Sequence, residues 1–265
     1  MFMKKTAWLT ILLLLALNVP AQSQPSAPDT TGPWVQLFNG KNLDGWIPKF
    51  AGYKPGVNYK NTFRVEDGLL KVSYDRYRHF DGQFGHLFYK KKFSSYILRV
   101  VYRFVGKQVP GGPVWGYRNN GIMIFCQSPE SMRIGQDYPV SVEVQLLGGN
   151  GKDKRPTANG CTPGTNIVIG GKLITQHCNP SASLTFNGDQ WVTVTVEVHS
   201  DSLIRNYVNG KLVFQFSKPQ LDPNDPDGKR LLQKEPKILK DGYISIQAES
   251  APTEFKEIEI KEIRD

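Results

Sequence analysis

Residues 191–216 read WVTVTVEVHSDSLIRNYVNGKLVFQF, and this stretch decides the fold. Within 191–199, Val192, Val194, Val196 and Val198 alternate with Trp191, Thr193, Thr195 and Glu197. A period of two puts the valines on one face of a β-strand and the other set on its opposite face. Residues 202–208 and 211–216 alternate in the same way, with Asn209-Gly210 between them. That dipeptide accepts the positive φ values of a two-residue hairpin loop, so the three runs predict an antiparallel meander. Working outward, 96–104 (YILRVVYRF), 140–147 (VSVEVQLL), 242–248 (GYISIQA) and 255–263 (FKEIEIKEI) repeat the pattern. Shorter candidates lie at 34–38, 62–66, 69–73, 86–90 and 120–126, and Asp67-Gly68 marks a second hairpin. No segment keeps a 3.6-residue apolar period. Strands joined by turns, without helical units between them, predict an all-β fold: an antiparallel β-sandwich or jelly roll.

Composition agrees. Charged residues at 22% and hydrophobic residues at 39% of 265 exclude a disordered chain, a coiled coil and a multi-pass membrane protein. Gly 25 and Pro 18 suit a turn-rich β fold. Loops 105–119, 148–166 and 217–241 are long, which often marks function or mobility. The strands after 241 are too few to fold alone, so 34–265 is expected to be a single domain.

The N-terminus reads as an export signal: Lys4 and Lys5, an apolar run from Ala7 to Leu17, then Val19-Pro20-Ala21. The run is short of the roughly 20 residues of a membrane span. Cleavage after Ala21 leaves 244 residues, with no stable membrane insertion expected, and 22–33 reads as a disordered linker. The destination is periplasmic, cell-surface or secreted, and oxidising. Of three cysteines one stays unpaired; Cys161 and Cys178 flank a compact segment and could close a loop, whereas Cys126 ends an apolar run and reads as a buried thiol. The net charge of +9 is scattered, with Lys90-Lys91-Lys92 the main run, so no nucleic-acid partner is expected.

Alternation also sorts the polar faces. Glu143 and Gln145 oppose Val142, Val144 and Leu146; Tyr243, Ser245, Gln247 and Glu249 oppose Ile244, Ile246 and Ala248; Arg99 and Arg103 share a face with Ile97 and Val101. With apolar faces turned together in a sandwich, carboxylate, amide, arginine and aromatic groups are left outside. That is the chemistry of a sugar-binding surface. Trp115 and Tyr117, in a Gly-rich loop, could form a stacking platform. Trp46 and Trp191 read as core residues, and His79 and His86 fall in a polar, aromatic region.

At this point the chain resembles a family. Leu37-Phe38-Asn39-Gly40-Lys41-Asn42-Leu43-Asp44-Gly45-Trp46 is similar to the "LFNGK-LDGW" opening of the 3-keto-disaccharide hydrolase, or 3-keto-glucoside lyase/hydratase, domain. Asn120-Gly121-Ile122, Glu143-Val144-Gln145-Leu146-Leu147, 242–247 and Glu254-Phe255-Lys256-Glu257-Ile258 resemble later family strands, over about 34 to 264. Lys256-Glu257 departs from the usual Arg-Asn, and Phe125-Cys126 stands where a strand-end Arg is common. The segment from Cys161 to Cys178 looks like a subfamily feature and supports a Cys161–Cys178 disulfide.

The resemblance implies a concanavalin A-like sandwich that acts on carbohydrate. The strand of Glu143 lacks the second carboxylate that sandwich glucanases place there, and ordinary hydrolysis needs two. A 3-keto sugar needs less, because its ketone acidifies the C2 proton. The expected roles are Glu143 as base, Arg103 or a divalent metal polarising the ketone, and Glu249 or His177 as acid. Gln145, Gln247, Trp115, Tyr117, Asn120 and Glu254 are expected to bind substrate. No metal-ligand spacing is visible, and no cofactor is certain. A NAD fingerprint is absent, so a separate sugar oxidoreductase is the expected partner. The alternative is a non-catalytic carbohydrate-binding module; the residues do not separate the two, and an adhesive sandwich is a third reading.

Overall fold

The computed structural model describes residues 33–263; the signal, nearly all of the linker and the last two residues lie outside them. The chain folds into two antiparallel sheets. One runs in the order Lys172–Ile174, Thr165–Ile169, Lys211–Leu221, Leu203–Val208, Val192–His199, Ser95–Phe104, Thr253–Glu262, Leu69–Val72, Phe63–Glu66, with Val35–Gln36 added against Thr253–Glu262. The other runs Cys178–Asn179, Asn159–Cys161, Val142–Leu147, Asn119–Cys126, Tyr243–Ala248, Gly85–Tyr89, Trp46–Phe50.

The meander of residues 191–216 forms as expected. Val208 pairs with Lys211 across Asn209 (φ 48°) and Gly210 (φ 81°), and Glu66 pairs with Leu69 across Asp67 and Gly68, also at positive φ. Val192, Val194, Val196 and Val198 are buried against the facing sheet's Val142, Val144, Ile244 and Ile246. Burying each such side chain contributes about 1.5–3 kcal/mol, so the alternation fixes which face turns inward. A one-residue slip would expose the whole row.

Some expectations change. The first strand is only Val35–Gln36, and 211–216 continues to Leu221. Short strands at Trp46–Phe50, Thr165–Ile169 and Asn159–Cys161 have too few residues to show a period. Loop 217–241 contains a helix, Pro226–Leu231, whose first turn is capped by the Asp225 side chain. Trp46 is in the core, its indole N–H donating to the Leu37 carbonyl. Trp191 is not: it is half-buried on the outer face, under the Arg103 guanidinium at 4.4 Å. Cys161 and Cys178 are register partners on adjacent strands and form the disulfide, and Cys126 is a buried free thiol. Among the described residues no helix is long and apolar enough to cross a membrane.

Candidate active site

The outward face of the seven-stranded sheet carries two cross-strand rows. In one, Ile47, Phe88, Ser245, Met123 and Glu143 are successive register partners. In the next, Lys49 pairs with His86, His86 with Gln247, and Gly121 with Gln145, while Gln247 approaches Gly121 from the neighbouring strand. The first row is mainly apolar. Phe88, Met123 and Cys126 pack there with Met132, which comes from the segment that crosses the sheet face after Cys126. The second row is polar and almost wholly enclosed: Lys49, His86 and Gln247 are at most 1% exposed.

That crossing segment also brings Tyr138. Its ring lies against Phe84 (5.1 Å) and His86 (5.8 Å), and its hydroxyl lies near enough to the Glu249 carboxyl to favour that group's ionised form. Glu249 follows directly on the strand that ends at Ala248. Gly116 packs on the Glu249 carbonyl so closely that a Cβ there would stand 2.9 Å from it, which brings Trp115 over the same end of the sheet. Trp115 stacks on Phe84 at 5.8 Å.

The result is a cleft of about 500 Å³ with Glu143, Gln145, Glu249 and Asn119 in its lining, beside Trp115, Tyr138, Arg155 and His177. Arg155 is anchored from behind by the Gly148 carbonyl (2.8 Å) and the Tyr117 carbonyl. His177 stands on the exposed rim, next to the disulfide.

Electrostatics separate the two carboxyls. Burial raises both above the ordinary carboxylate range. Glu143 is raised further by the charge of Glu249, and its Oε1 has no protein partner. The Tyr138 hydroxyl favours the ionised form of Glu249. Glu249 is raised to about 8 and is the first of the pair to ionise, while Glu143 stays the carboxylic acid beside it. His86 is pulled down to about 3 by burial and then by the Lys49 charge, so its imidazole is neutral.

Measured against the sequence, Glu143, Gln145, Glu249, Trp115 and His177 are brought together. Gln247 lies one strand away, beneath the surface. Four residues are not brought to the cleft. Arg103 and Glu254 pair with each other at 2.7 Å on the outer face of the ten-stranded sheet. Asn120 points between the sheets, where its amide donates to the Gln247 carbonyl. Tyr117 lies outside the cleft lining and supports Arg155, through its backbone carbonyl and through its ring, 5.9 Å from the guanidinium. Sequence reading missed Tyr138, Arg155 and Asn119. Tyr138 and Arg155 sit in aperiodic loops; Asn119 had a signal, since it shares the outward parity of Gly121. Among the described residues no three His, Cys, Asp or Glu side chains are grouped as cation ligands.

Two solved structures from Parabacteroides distasonis ATCC 8503, both described as candidate glycosyl hydrolases, share this fold. One is 15% identical with a TM-score of 0.52, covering 88% of this chain and 100% of its own. The other is 19% identical with a TM-score of 0.51, covering 87% and 94%. At such identities the likeness is one of fold. Among curated proteins none matches. The family described as the 3-keto-alpha-glucoside-1,2-lyase-like domain matches residues 33–261, nearly everything described here, and the chain belongs to that family.

Proposed function

We propose that this protein is an exported carbohydrate-active enzyme that cleaves 3-keto-glycosides by elimination followed by hydration. The observation that carries the reading is the buried pair of Glu249 and Glu143 in one cleft, with Glu249 the first to ionise and so the base, and Glu143 the protonated acid. Glu249 takes the C2 proton that the neighbouring ketone acidifies. Glu143 gives its proton to the glycosidic oxygen as the C1–O bond breaks. This reverses the roles expected from sequence, because the Tyr138 hydroxyl favours the ionised form of Glu249 and Glu143 has no such partner. Arg155, in place of Arg103, is the cation available in the cleft for the enolate oxygen. Gln145 and Trp115 hold the sugar, with Gln145 fixed by the Asn159 amide at 2.9 Å. The disulfide suits an oxidising compartment, and a separate oxidoreductase would supply the ketone.

A second reading has its own support. Glu249 supplies the second carboxylate that the strand of Glu143 lacks, so two-carboxylate hydrolysis of an unoxidised glycoside is chemically open. The test is one assay: mature protein with a 3-keto-glucoside and, separately, with the parent glycoside, each with and without chelator. Aglycone release from the 3-keto substrate alone supports elimination. Release from the parent glycoside would replace it with hydrolysis. Binding without release from either would make the protein a carbohydrate-binding module. The chelator arm reads any dependence on a divalent cation.

A further inference from the structure

Directly beneath the cleft several buried polar atoms lack protein partners: Glu143 Oε1, both amide atoms of Gln247 and both ring nitrogens of His86. They are neighbours rather than scattered defects. His86 and Gln247 are register partners, and Gln247 and Glu143 converge over Gly121. A Cβ on Gly121 would stand 2.6 Å from Glu143 Oε1 and 3.0 Å from Gln247 Oε1. Buried polar groups are nearly always hydrogen-bonded, to protein or to ordered water. Here the partner must be small. A side chain on Gly121 would run into Glu143 and Gln247, so only glycine leaves the two facing each other, and neither Gln247 nor His86 lines the cleft itself. Met123 and Phe88 close one side and the Tyr138 ring lies over His86. A sugar ring has no way in.

We propose that Glu143 and the Gln247 side chain hold a single water at Gly121, and that this is the water added to C1 in the hydration half of the reaction. The inference rests on the elimination reading above. The sequence of events is balanced. In the first half Glu249 has gained the C2 proton and Glu143 has given its own to the leaving oxygen, so Glu143 is now the carboxylate nearest the water. The water oxygen bonds to C1 as its proton passes to Glu143. The C1–C2 π electrons move toward C2 to give the enolate of the 3-ketone, and Glu249 returns its proton to C2. Both carboxyls are back in their starting states, and the net change is one water consumed and one alcohol released. Gln247 acts as a positioning residue: it orients the water so that one proton faces Glu143 while a lone pair faces the cleft. The neutral His86 imidazole, the register partner of Gln247, adds no charge that would draw the water away.

Two measurements decide it. A crystal structure of the unliganded wild-type protein should show an ordered water within hydrogen-bonding distance of both Glu143 Oε1 and the Gln247 amide; an ordered Gly121 notch without one overturns the assignment. With a 3-keto-glucoside, Gln247→Leu should shift early products at least tenfold from 3-keto-glucose toward the unhydrated 2-hydroxy-3-keto-glycal. An unchanged product ratio with aglycone release intact overturns it as well. If Gln247→Leu does not fold, Gln247→Met carries the same comparison. Failure of the elimination reading looks different: the wild type itself then releases no aglycone from the 3-keto substrate.

Discussion

Replacing Tyr138 by Phe isolates one atom in this scheme. The ring keeps its contacts with Phe84 and His86, so the crossing segment stays packed and only the hydroxyl that favours the ionised form of Glu249 is lost. A hydrogen bond to a charged group contributes about 1.5–3 kcal/mol, and one pKa unit corresponds to about 1.4 kcal/mol. Loss of the donor should therefore raise the Glu249 carboxyl by about 1–2 units. Glu249 must be ionised to take the C2 proton, so the acid limb of kcat/KM for a 3-keto-glucoside should move to higher pH by that amount. Activity at fixed neutral pH should fall about 10–100-fold and recover as pH rises. The assay is aglycone release across a pH series for wild type and variant, with thermal melts as a folding control. A uniform rate loss with an unmoved acid limb would refute the assignment of Glu249 as base and reduce Tyr138 to a packing residue.

Further outcomes follow from the same geometry. Arg155→Ala should lower turnover about 10²–10³-fold, the scale of losing a group that stabilises developing charge. Arg103→Ala should leave turnover within about twofold and cost at most ~1 kcal/mol of stability, as for a partly exposed ion pair; comparable losses in both variants would overturn the placement of the cleft. Both buried carboxyls have folded-state pKa values above their unfolded ones, so the folded protein binds more protons and stability should fall as pH rises from the carboxyl range toward and through neutrality. Denaturant midpoints should show this slope flattened in Glu143→Gln. The disulfide closes a separation of 17 residues, which by loop entropy contributes roughly 3 kcal/mol. Cys161→Ser/Cys178→Ser should lower the denaturant midpoint accordingly, and an unchanged midpoint would show that the edge strands hold without it.

The sandwich was legible because burial imposes a period of two, and the three runs of 191–216 show it between their turns. Glu143, Gln145, Gln247 and Glu249 were legible for the same reason: parity along a strand says which residues leave the core. Parity does not say which sheet a strand joins. Arg103 and Glu254 have outward parity too, but their strands belong to the ten-stranded sheet, so they face away from the cleft. Asn120 was misplaced by reading its motif and not its parity, which it shares with Ile122 and Ile124 in the core. Tyr138 and Arg155 act from loops whose paths are set by tertiary contacts. The pairing of Glu143 with Glu249 joins residues far apart in sequence, which no local pattern records.

The segment that delivers Tyr138 is tied down differently from the sandwich beneath it. Its packing rests on Met132 among Phe88, Met123 and Cys126, on the side-chain Oε1 of Gln127, which accepts from the Gln136 amide and the Val140 N–H, and on the solvent-side Arg133–Asp227 pair. The buried Lys49 ammonium joins it to the sheet edge through the Ile134 carbonyl at 3.1 Å. Against the continuous core between the two sheets this is a shallow anchorage, and shallowly anchored segments open at lower free energy than whole domains. Heating should thus silence the enzyme before it melts: hydrogen exchange along 127–141 accelerates first, and turnover fades while the sandwich still gives its full β signal. The temperature range of activity is then set by a four-residue apolar patch that never meets the sugar, and repacking around Met132 would widen it without touching the cleft.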